Sequence, residues 1–297
     1  MLVPLDGSSL AEAVLPLVER LAAAPEATVV LLHILERSAP STVHGDRHLT
    51  TLDQAESYLG ETAARLEALG ARTRTHAHEA PEGDVARSIV DHAHEEQADL
   101  IVLCTHGRGR VRELISGSIA QQVLRRGATP VLLARIESGR SPLPFQPRII
   151  LVPLDGTRDA EVALGPARDF ARLLSAALHL VMVVPTVGTV RGDKAPTAPW
   201  MPRTTEAVLD LEERAAAAYL EGLAAETRGI GITVSTEIRR GDISSALVEE
   251  TREPDTGLVV IATHGRSGLQ AIWAGSVTAR VLAQTRAPVL LLRTVDA

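Results

Sequence analysis

The sequence is poor in aromatic residues, which make up only 2% of its 297 positions. A core built from this chain must therefore be aliphatic, and a surface that stacks nucleic-acid bases on aromatic rings is nearly excluded. The single cysteine, Cys104, excludes an internal disulfide and a metal site built from several cysteines. The single lysine, Lys194, stands in no Gly-Lys-Ser or Gly-Lys-Thr triplet, so a Walker-type phosphate loop is ruled out.

Charge and hydrophobic length exclude further classes of partner. The net charge is -7 and there is no block of basic residues, which argues against nucleic acid and anionic membranes. No apolar run approaches the roughly 18 residues that a membrane-spanning helix needs, and the first residues lack the basic segment of a signal peptide. These features predict a cytoplasmic protein with no membrane partner. A hydrophobic content of 45% is typical of a globular fold.

Short motifs recur along the chain at constant separations. The pentapeptides at 104–108 and 262–266 share Thr-His-Gly-Arg, and Gly-Asp, Gly-Ser and Pro-Val-Leu-Leu motifs recur with them 158 residues later. Nearer the start, Val-Pro-Leu-Asp-Gly at 3–7 recurs 149 residues later. Because chance does not hold one separation across several motifs, the chain is predicted to be a tandem duplication. The second copy then carries 9 extra residues, which we assign to the Pro- and Gly-rich stretch 185–203.

The boundary between the copies follows from a second Pro-rich stretch. Pro142, Pro144 and Pro147 fall within residues 138–147, together with Gly139. Such a composition is typical of a linker. We therefore predict one domain at 1–137, a linker at 138–147 and a second domain at 148–297.

Each copy alternates short apolar runs with segments of helical pattern. The apolar runs are typical of buried parallel strands, and five of them occur in each copy. Ser9-Leu10-Ala11-Glu12 predicts a capping box that opens a single helix reaching about Ala24. The alternation predicts an α/β fold with two repeated doubly wound, Rossmann-like domains, each a five-stranded parallel sheet flanked by helices.

The best motifs fall at one edge of the predicted sheets. Ligands of such sheets bind outside the carboxyl ends of the strands, where the strand order reverses. The first and fourth strands of each copy should flank that point. Asp6-Gly7 follows the first strand and Thr105-His106-Gly107 follows the fourth, and both motifs recur in the second copy. The sequence therefore predicts a ligand crevice between the first and fourth strands.

The loop after the fourth strand has the composition of a phosphate cradle. Gly107 is followed after nine residues by Gly117-Ser118 at a predicted helix start, and Gly265 is followed in the same way by Gly275-Ser276. Unpaired N–H groups at a helix start attract anions, and glycine permits close approach of the backbone. Arginines flank the first loop more densely than the second, at positions 108, 110 and 112 against 266 alone.

With these motifs the chain resembles the universal stress protein family, in a form with two such domains. Nucleotide-binding members carry Gly, two residues, Gly, nine residues, Gly and then Ser or Thr. Both copies match the second and third glycines and the serine, but Cys104 and Ala262 replace the first glycine. The resemblance implies an adenine nucleotide alpha hydrolase-like fold and ATP as the ligand, bound with or without Mg²⁺.

The resemblance also implies which residues contact the nucleotide. An aspartate after the first strand lies near the adenosine, and an apolar residue ending the second strand lies against adenine. The candidate site residues in the first copy are Pro4, Asp6, Ile34, Cys104, Gly107, Arg108, Gly117 and Ser118. Those in the second copy are Pro153, Asp155, Val183, Ala262, Gly265, Arg266, Gly275 and Ser276.

Each of these motifs also has a simpler interpretation. The loop glycines could serve only as turn residues, and Asp6 and Asp155 could only cap the first helix. His106 and His264 lie beside no nucleophile or paired acid, so no catalytic residue is predicted. His76 and His78 alternate on one strand and His92 and His94 lie two apart on a helix, and none has a counterpart in the repeat, so no metal site is predicted.

Three functions compete. The first is a stress-response regulator that binds ATP with little or no hydrolysis. The second is a nucleotide-free interaction module, which the missing first glycine keeps open. The third is an enzyme such as a phosphotransferase, which the lack of a catalytic lysine and of paired carboxylates weakens. Family resemblance further implies an intramolecular pseudo-dimer through the fifth strands, with a homodimer of chains left open. The 185–203 loop is either a lid over the second site or a surface decoration.

Overall fold

A computed structural model describes residues 1–35, 42–43, 46–47, 49–79, 84–106, 119–136, 145–190, 201–253, 255–264 and 277–294. The chain divides into two compact units, unit 1 at Met1–Gln146 and unit 2 at Pro147–Ala297. Most of the predicted linker lies outside the described residues.

Unit 1 alternates strands and helices as the sequence predicts. Its strands are β1 (Leu2–Pro4), β2 (Thr28–Leu35), β3 (Thr42–Val43), β4 (Asp46–Arg47), β5 (Arg72–Glu79), β6 (Ile101–His106) and β7 (Val131–Ile136). Its helices are α1 (Ser9–Glu12), α2 (Leu15–Ala22), α3 (Leu52–Glu67), α4 (Val85–Glu95) and α5 (Ile119–Arg126). The two-residue strands β3 and β4 form a separate antiparallel pair.

Unit 2 repeats the same succession. Its strands are β8 (Ile149–Leu154), β9 (Ala177–Val184), β10 (Val234–Arg240), β11 (Thr256–His264) and β12 (Val289–Thr294). Its helices are α6 (Arg158–Glu161), α7 (Leu164–Leu174), α8 (Pro202–Gly229), α9 (Ile243–Glu250) and α10 (Val277–Gln284).

Both main sheets have parallel strands in the same order. The order is β7-β6-β1-β2-β5 in unit 1 and β12-β11-β8-β9-β10 in unit 2. In each, the chain starts in the middle, moves outward over two strands and then returns to the other side. The first and fourth strands are therefore neighbours, which confirms the predicted position of the reversal in strand order.

Burial explains which apolar runs became central strands. In β2, every residue from Val29 to Leu35 is buried. By contrast, β5 lies at the end of its sheet and carries the polar sequence Arg-Thr-Arg-Thr-His-Ala-His-Glu. α3 packs against β5, whereas α4 packs against α5, so the helices cover both faces of the sheet.

The first predicted helix is wrong in two respects. It is divided into α1 and α2, because Pro16 has no N–H to donate to the carbonyl of Glu12, one turn earlier. The N-cap is Ser8 rather than Ser9, since the Ser8 hydroxyl accepts a hydrogen bond from the N–H of Ala11 at 3.1 Å. The hydroxyl of Ser9 instead donates to Asp46 at 2.9 Å.

The strand registers also revise the position of the inserted residues. In unit 1, Thr28 of β2 pairs with Arg72 of β5. The repeat counterpart of Thr28 is position 177, and the residue after it, Leu178 of β9, pairs with Val234 of β10. Strands β5 and β10 are thus 161 positions apart, not 158. The second copy gains 12 residues before this point and loses 3 between β10 and Asp242. The net difference of 9 residues that the motifs indicate is therefore the sum of two changes. The assignment of the extra residues to 185–203 is wrong: α8 has 28 residues and α3 has 16, so the gain lengthens the helix.

Candidate functional site

In both units the ladder between the first and fourth strands ends before the strands do. The last registered pairs are Leu2 with Ile101 and Leu151 with Val259. Pro4 and Pro153 each lie two residues beyond and have no N–H with which to extend a ladder. Among the described residues, the carboxyl ends of these strands are thus unpaired with each other at the point where the strand order reverses. This is the position at which such sheets bind ligands.

An Asp-Gly turn follows the first strand on the edge of this crevice. Oδ1 of Asp6 accepts hydrogen bonds from the N–H of Ser8 at 2.9 Å and from its hydroxyl at 2.6 Å. Oδ1 of Asp155 accepts the same two bonds from Thr157, at the same distances. One carboxylate oxygen therefore fixes the turn before the helix, while Ser8 and Thr157 act as the caps themselves.

The glycine of each turn has a conformation that other residues rarely adopt. The φ angle is +83° at Gly7 and +82° at Gly156. A Cβ at Gly7 would lie 2.9 Å from the side chain of Leu49, whereas at Gly156 it would meet the terminal methyl of Met182 at 3.6 Å. The two turns thus share a backbone conformation but differ in how tightly they are packed.

The structure brings Cys104 close to Asp6. Burial, followed by the negative charge of Asp6, raises the pKa of the Cys104 thiol to about 12. The thiol is therefore protonated at neutral pH, which makes it a weak nucleophile and a poor redox sensor. Ala262, the corresponding residue of unit 2, is half-buried and carries no group that titrates.

The only two tyrosines of the chain approach these turns from the long helices α3 and α8. Burial, Glu12 and Asp6 raise the pKa of Tyr58, in that order. In unit 2, the hydroxyl of Tyr219 donates a hydrogen bond to Glu161 at 2.9 Å. Burial, this hydrogen bond and the nearby charges of Glu161 and Asp155 raise the pKa of Tyr219.

Sequence reasoning did not identify these tyrosines as site residues. Tyr58 and Tyr219 are separated by 161 positions, a spacing that becomes meaningful only once the strand registers are known. A third missed residue is His33, which is buried in β2 and bonded through Nδ1 to the carbonyl of Leu5 at 2.7 Å. That bond fixes the residue immediately before Asp6.

The remaining candidate residues divide between described and undescribed parts. Ile34 is buried and pairs in register with His78, whereas Val183 is half-buried and pairs with Arg239. The loop residues Gly107, Arg108, Gly117, Ser118, Gly265, Arg266, Gly275 and Ser276 lie outside the described residues, as do the side chains of His106 and His264.

The start of the long loop after β9 is held at the same edge of the sheet. The hydroxyl of Thr189 donates to the carbonyl of Gly241 at 3.1 Å and accepts from the N–H of Thr186 at 2.8 Å. Gly241 in turn donates its N–H to the carbonyl of Val184, the last residue of β9. Trp200 and Lys194, further along this loop, fall outside the described residues.

Each unit is thus a doubly wound α/β domain with its Asp-Gly motif at the reversal of strand order. A family model described as the universal stress protein family matches residues 1–135 and again 147–293. The chain belongs to this family of stress-response proteins and contains two of its domains in tandem.

Two mycobacterial relatives show the extent of the similarity. A universal stress protein of Mycolicibacterium smegmatis is 26% identical over 309 aligned residues, covering 99% of this chain and 96% of the relative. A universal stress protein of Mycobacterium tuberculosis strain H37Rv is 30% identical over 197 residues, covering 66% of this chain and 62% of the relative.

Solved structures show the same tandem fold. A universal stress protein from Archaeoglobus fulgidus superposes with a TM-score of 0.67 at 20% identity, covering 100% of this chain and 96% of that one. A putative universal stress protein from Pseudomonas aeruginosa gives a TM-score of 0.69 at 19% identity, covering 98% and 92%. Among the described residues, we find no helix with the length and hydropathy required to cross a membrane.

Proposed function

We propose that this chain is a stress-response regulator that binds ATP at the carboxyl edge of each sheet, with little or no hydrolysis. The observation that carries the proposal is the early end of the ladder between the first and fourth strands, beside an Asp-Gly turn, at corresponding positions of both units. A crevice at this point suits a nucleotide because the glycine loop that the sequence predicts beside it would offer backbone donors to phosphate.

The described residues fit the adenosine part of such a ligand. Adenine would lie against Ile34 in unit 1 and Val183 in unit 2. Asp6 and Asp155 would lie beside the ribose, where a carboxylate can accept hydrogen bonds from hydroxyl groups. The phosphates would receive N–H groups from the glycine loops, with Arg108 and Arg266 adding positive charge. Bound ATP would present its phosphate groups to the partner proteins that this chain regulates.

We propose that the two sites differ in affinity and that unit 2 binds more tightly. Cys104 places a bulky, neutral thiol where nucleotide-binding relatives have glycine, whereas Ala262 places only a methyl group there. A steric conflict in a close-packed pocket is not relieved by solvent. The additional arginines of the first loop, Arg110 and Arg112, contribute only modestly where they are exposed to water.

A calorimetric titration of the full chain with ATP tests these assignments. We expect two binding phases, of which Gly275→Val removes the tighter and Gly117→Val the weaker. Gly222→Val is a matched control, because Gly222 is exposed on α8 of unit 2 with open space around it, and the substitution is expected to change neither phase. If Gly275→Val leaves the tighter phase intact, the assignment of the sites is wrong.

The alternative is a nucleotide-free interaction module, which the replacement of the first motif glycine at Cys104 and Ala262 favours. It predicts no heat of ATP binding and no thermal stabilisation by ATP. An enzymatic function predicts phosphate release above the buffer background, which our proposal does not. The pseudo-dimer of domains, the homodimer, the lid formed by 185–203 and the cytoplasmic location stay predictions.

A further inference from the structure

Three histidines that are scattered in the sequence converge in unit 1. His76 and His78 lie two apart on β5 and therefore share one face of the sheet, and His92 reaches them from α4. The ring centroid of His92 lies 4.7 Å from that of His76 and 5.0 Å from that of His78. One nitrogen from each ring lies within 4.8 Å of the other two.

The hydrogen bonding of His92 prepares it as a ligand. Its Nδ1 lies 2.7 Å from the carbonyl oxygen of Ser88, which accepts only if Nδ1 carries the proton. The lone pair is then on Nε2, the tautomer that binds metals in many protein sites. His92 is only 8% exposed, so this orientation is fixed by packing as well as by the hydrogen bond.

The cluster also disfavours protonation of His76. Burial, then the nearby rings of His92 and His78, lower the pKa of His76, while the carboxylates of Glu96 and Glu95 oppose this shift. Glu96 is itself paired with Arg74 at 2.8 Å. The neutral imidazole of His76 is therefore favoured at neutral pH, and neutral imidazole is the form that coordinates a metal.

The corresponding positions of unit 2 hold a different arrangement. His76, His78 and His92 correspond to Glu237, Arg239 and Glu250. There the guanidinium of Arg239 pairs with Glu237 at 3.0 Å and with Glu250 at 3.1 Å, and His179 lies 3.4 Å from Glu250. A protein cation already neutralises these carboxylates. The same corner of the fold thus holds three imidazoles in one copy and an ion-pair network in the other.

We propose that His76, His78 and His92 form a binding site for a divalent transition-metal ion of the zinc type. Three imidazoles suit zinc, copper and nickel, and water would complete the coordination. A tetrahedral ion with bonds of about 2.1 Å holds its ligand nitrogens about 3.4 Å apart, so the rings must close by somewhat more than an ångström. The exposure of His76 leaves its side chain room to make this movement.

Such an ion would join strand β5, at the end of the sheet, to helix α4. Binding to the folded chain alone raises the free energy of unfolding in proportion to ion concentration and affinity. We therefore expect zinc to stabilise unit 1.

A calorimetric titration of the untagged, chelator-treated full chain with zinc chloride tests the proposal. We expect one equivalent to bind and the melting temperature to rise with zinc. The double variant His76→Ala/His78→Ala should lose this binding by roughly 100-fold or more. His94→Ala, an exposed histidine of the same helix, and His179→Ala of unit 2 should retain it.

The proposal is overturned if the native chain binds no zinc or if the double variant binds it as the native chain does. If the native chain binds a second equivalent of zinc and His179→Ala abolishes that binding, unit 2 also holds a metal ion. This result would contradict the view that Arg239 already pairs with the carboxylates there. Circular dichroism checks that the variants are folded. The single variant His76→Ala, which changes only an exposed side chain, repeats the test should the double variant unfold.

Discussion

Gly7 and Gly156 hold the same left-handed backbone conformation, but only Gly7 faces a close neighbour. Gly156→Ala is expected to lower the free energy of unfolding by about 1 kcal/mol, because its φ is unfavourable for a residue with a Cβ. Gly7→Ala is expected to lower it further, because the added Cβ would also lie 2.9 Å from Leu49. Urea unfolding followed by circular dichroism measures both, and equal losses would contradict the difference in packing.

The tyrosine hydroxyls offer a second contrast between the copies. Tyr219→Phe removes a hydrogen bond to Glu161 and should cost about 1 kcal/mol of stability. In unit 1 the corresponding Glu12 is bonded to Arg65 at 3.0 Å, so Tyr58→Phe should cost less. Chemical unfolding of the two variants checks this order, and a larger loss for Tyr58→Phe would refute it.

At the residue scale, the sequence predicts positions better than contacts. Asp6 and Asp155 are identified by their motif, but the interpretation that they cap the first helix is wrong, because Ser8 and Thr157 are the caps. Tyr58, His33 and the histidine cluster were not identified, because their neighbours are distant in sequence. A single histidine pair on a strand does not indicate which helix will pack over it.

The start of β11 depends on close packing against the segment that enters unit 2. A Cβ on Gly257 would lie 2.5 Å from Cα of Pro147, so backbone must shift to accommodate it. Gly257→Ala is therefore expected to lower the free energy of unfolding by about 1–3 kcal/mol. Gly222→Ala, in α8 with open space around it, should instead raise it by roughly 0.5–1 kcal/mol. Differential scanning calorimetry measures both variants, and a neutral Gly257→Ala would contradict the contact.

The contact between β5 and α4 should be sensitive to acid when no metal is present. Because the pKa of His76 is lowered from 6.5 in the folded chain, protons bind more readily to the unfolded chain. The metal-free protein should lose stability as the pH falls below 6.5, the pKa of the histidine in the unfolded chain. In His76→Ala this loss should be smaller, as measured by urea midpoints at pH 7.5 and 5.5 with chelator. An identical pH dependence in both proteins would count against the shift.

At the element scale, the order and type of nearly all strands and helices follow from the sequence. β2 is one of the apolar runs that the sequence predicts as strands, since its β-branched and aliphatic residues are typical of a buried parallel strand. The sequence predicts the first helix as one piece because its capping pattern indicates only where a helix starts, whereas Pro16 divides it. The prediction that the extra residues of the second copy lie in 185–203 is wrong, because they lengthen α8 relative to α3.

At the scale of the whole molecule, duplication allows each half to act as a control for the other. The two units share strand order, turn geometry and the early end of the central ladder. They differ at Cys104 and Ala262, in the loop after β9 and in the histidine cluster of unit 1. We therefore expect two related sites with unequal nucleotide affinity, together with a metal site in one unit alone.

Native mass spectrometry of the full chain, after incubation with ATP and removal of the excess, tests the central claim most directly. It resolves unbound, singly bound and doubly bound protein in one spectrum. The account predicts a singly bound species at low ATP and a doubly bound species at saturating ATP, with no conversion to ADP. Protein that retains no nucleotide at any ATP concentration would contradict it.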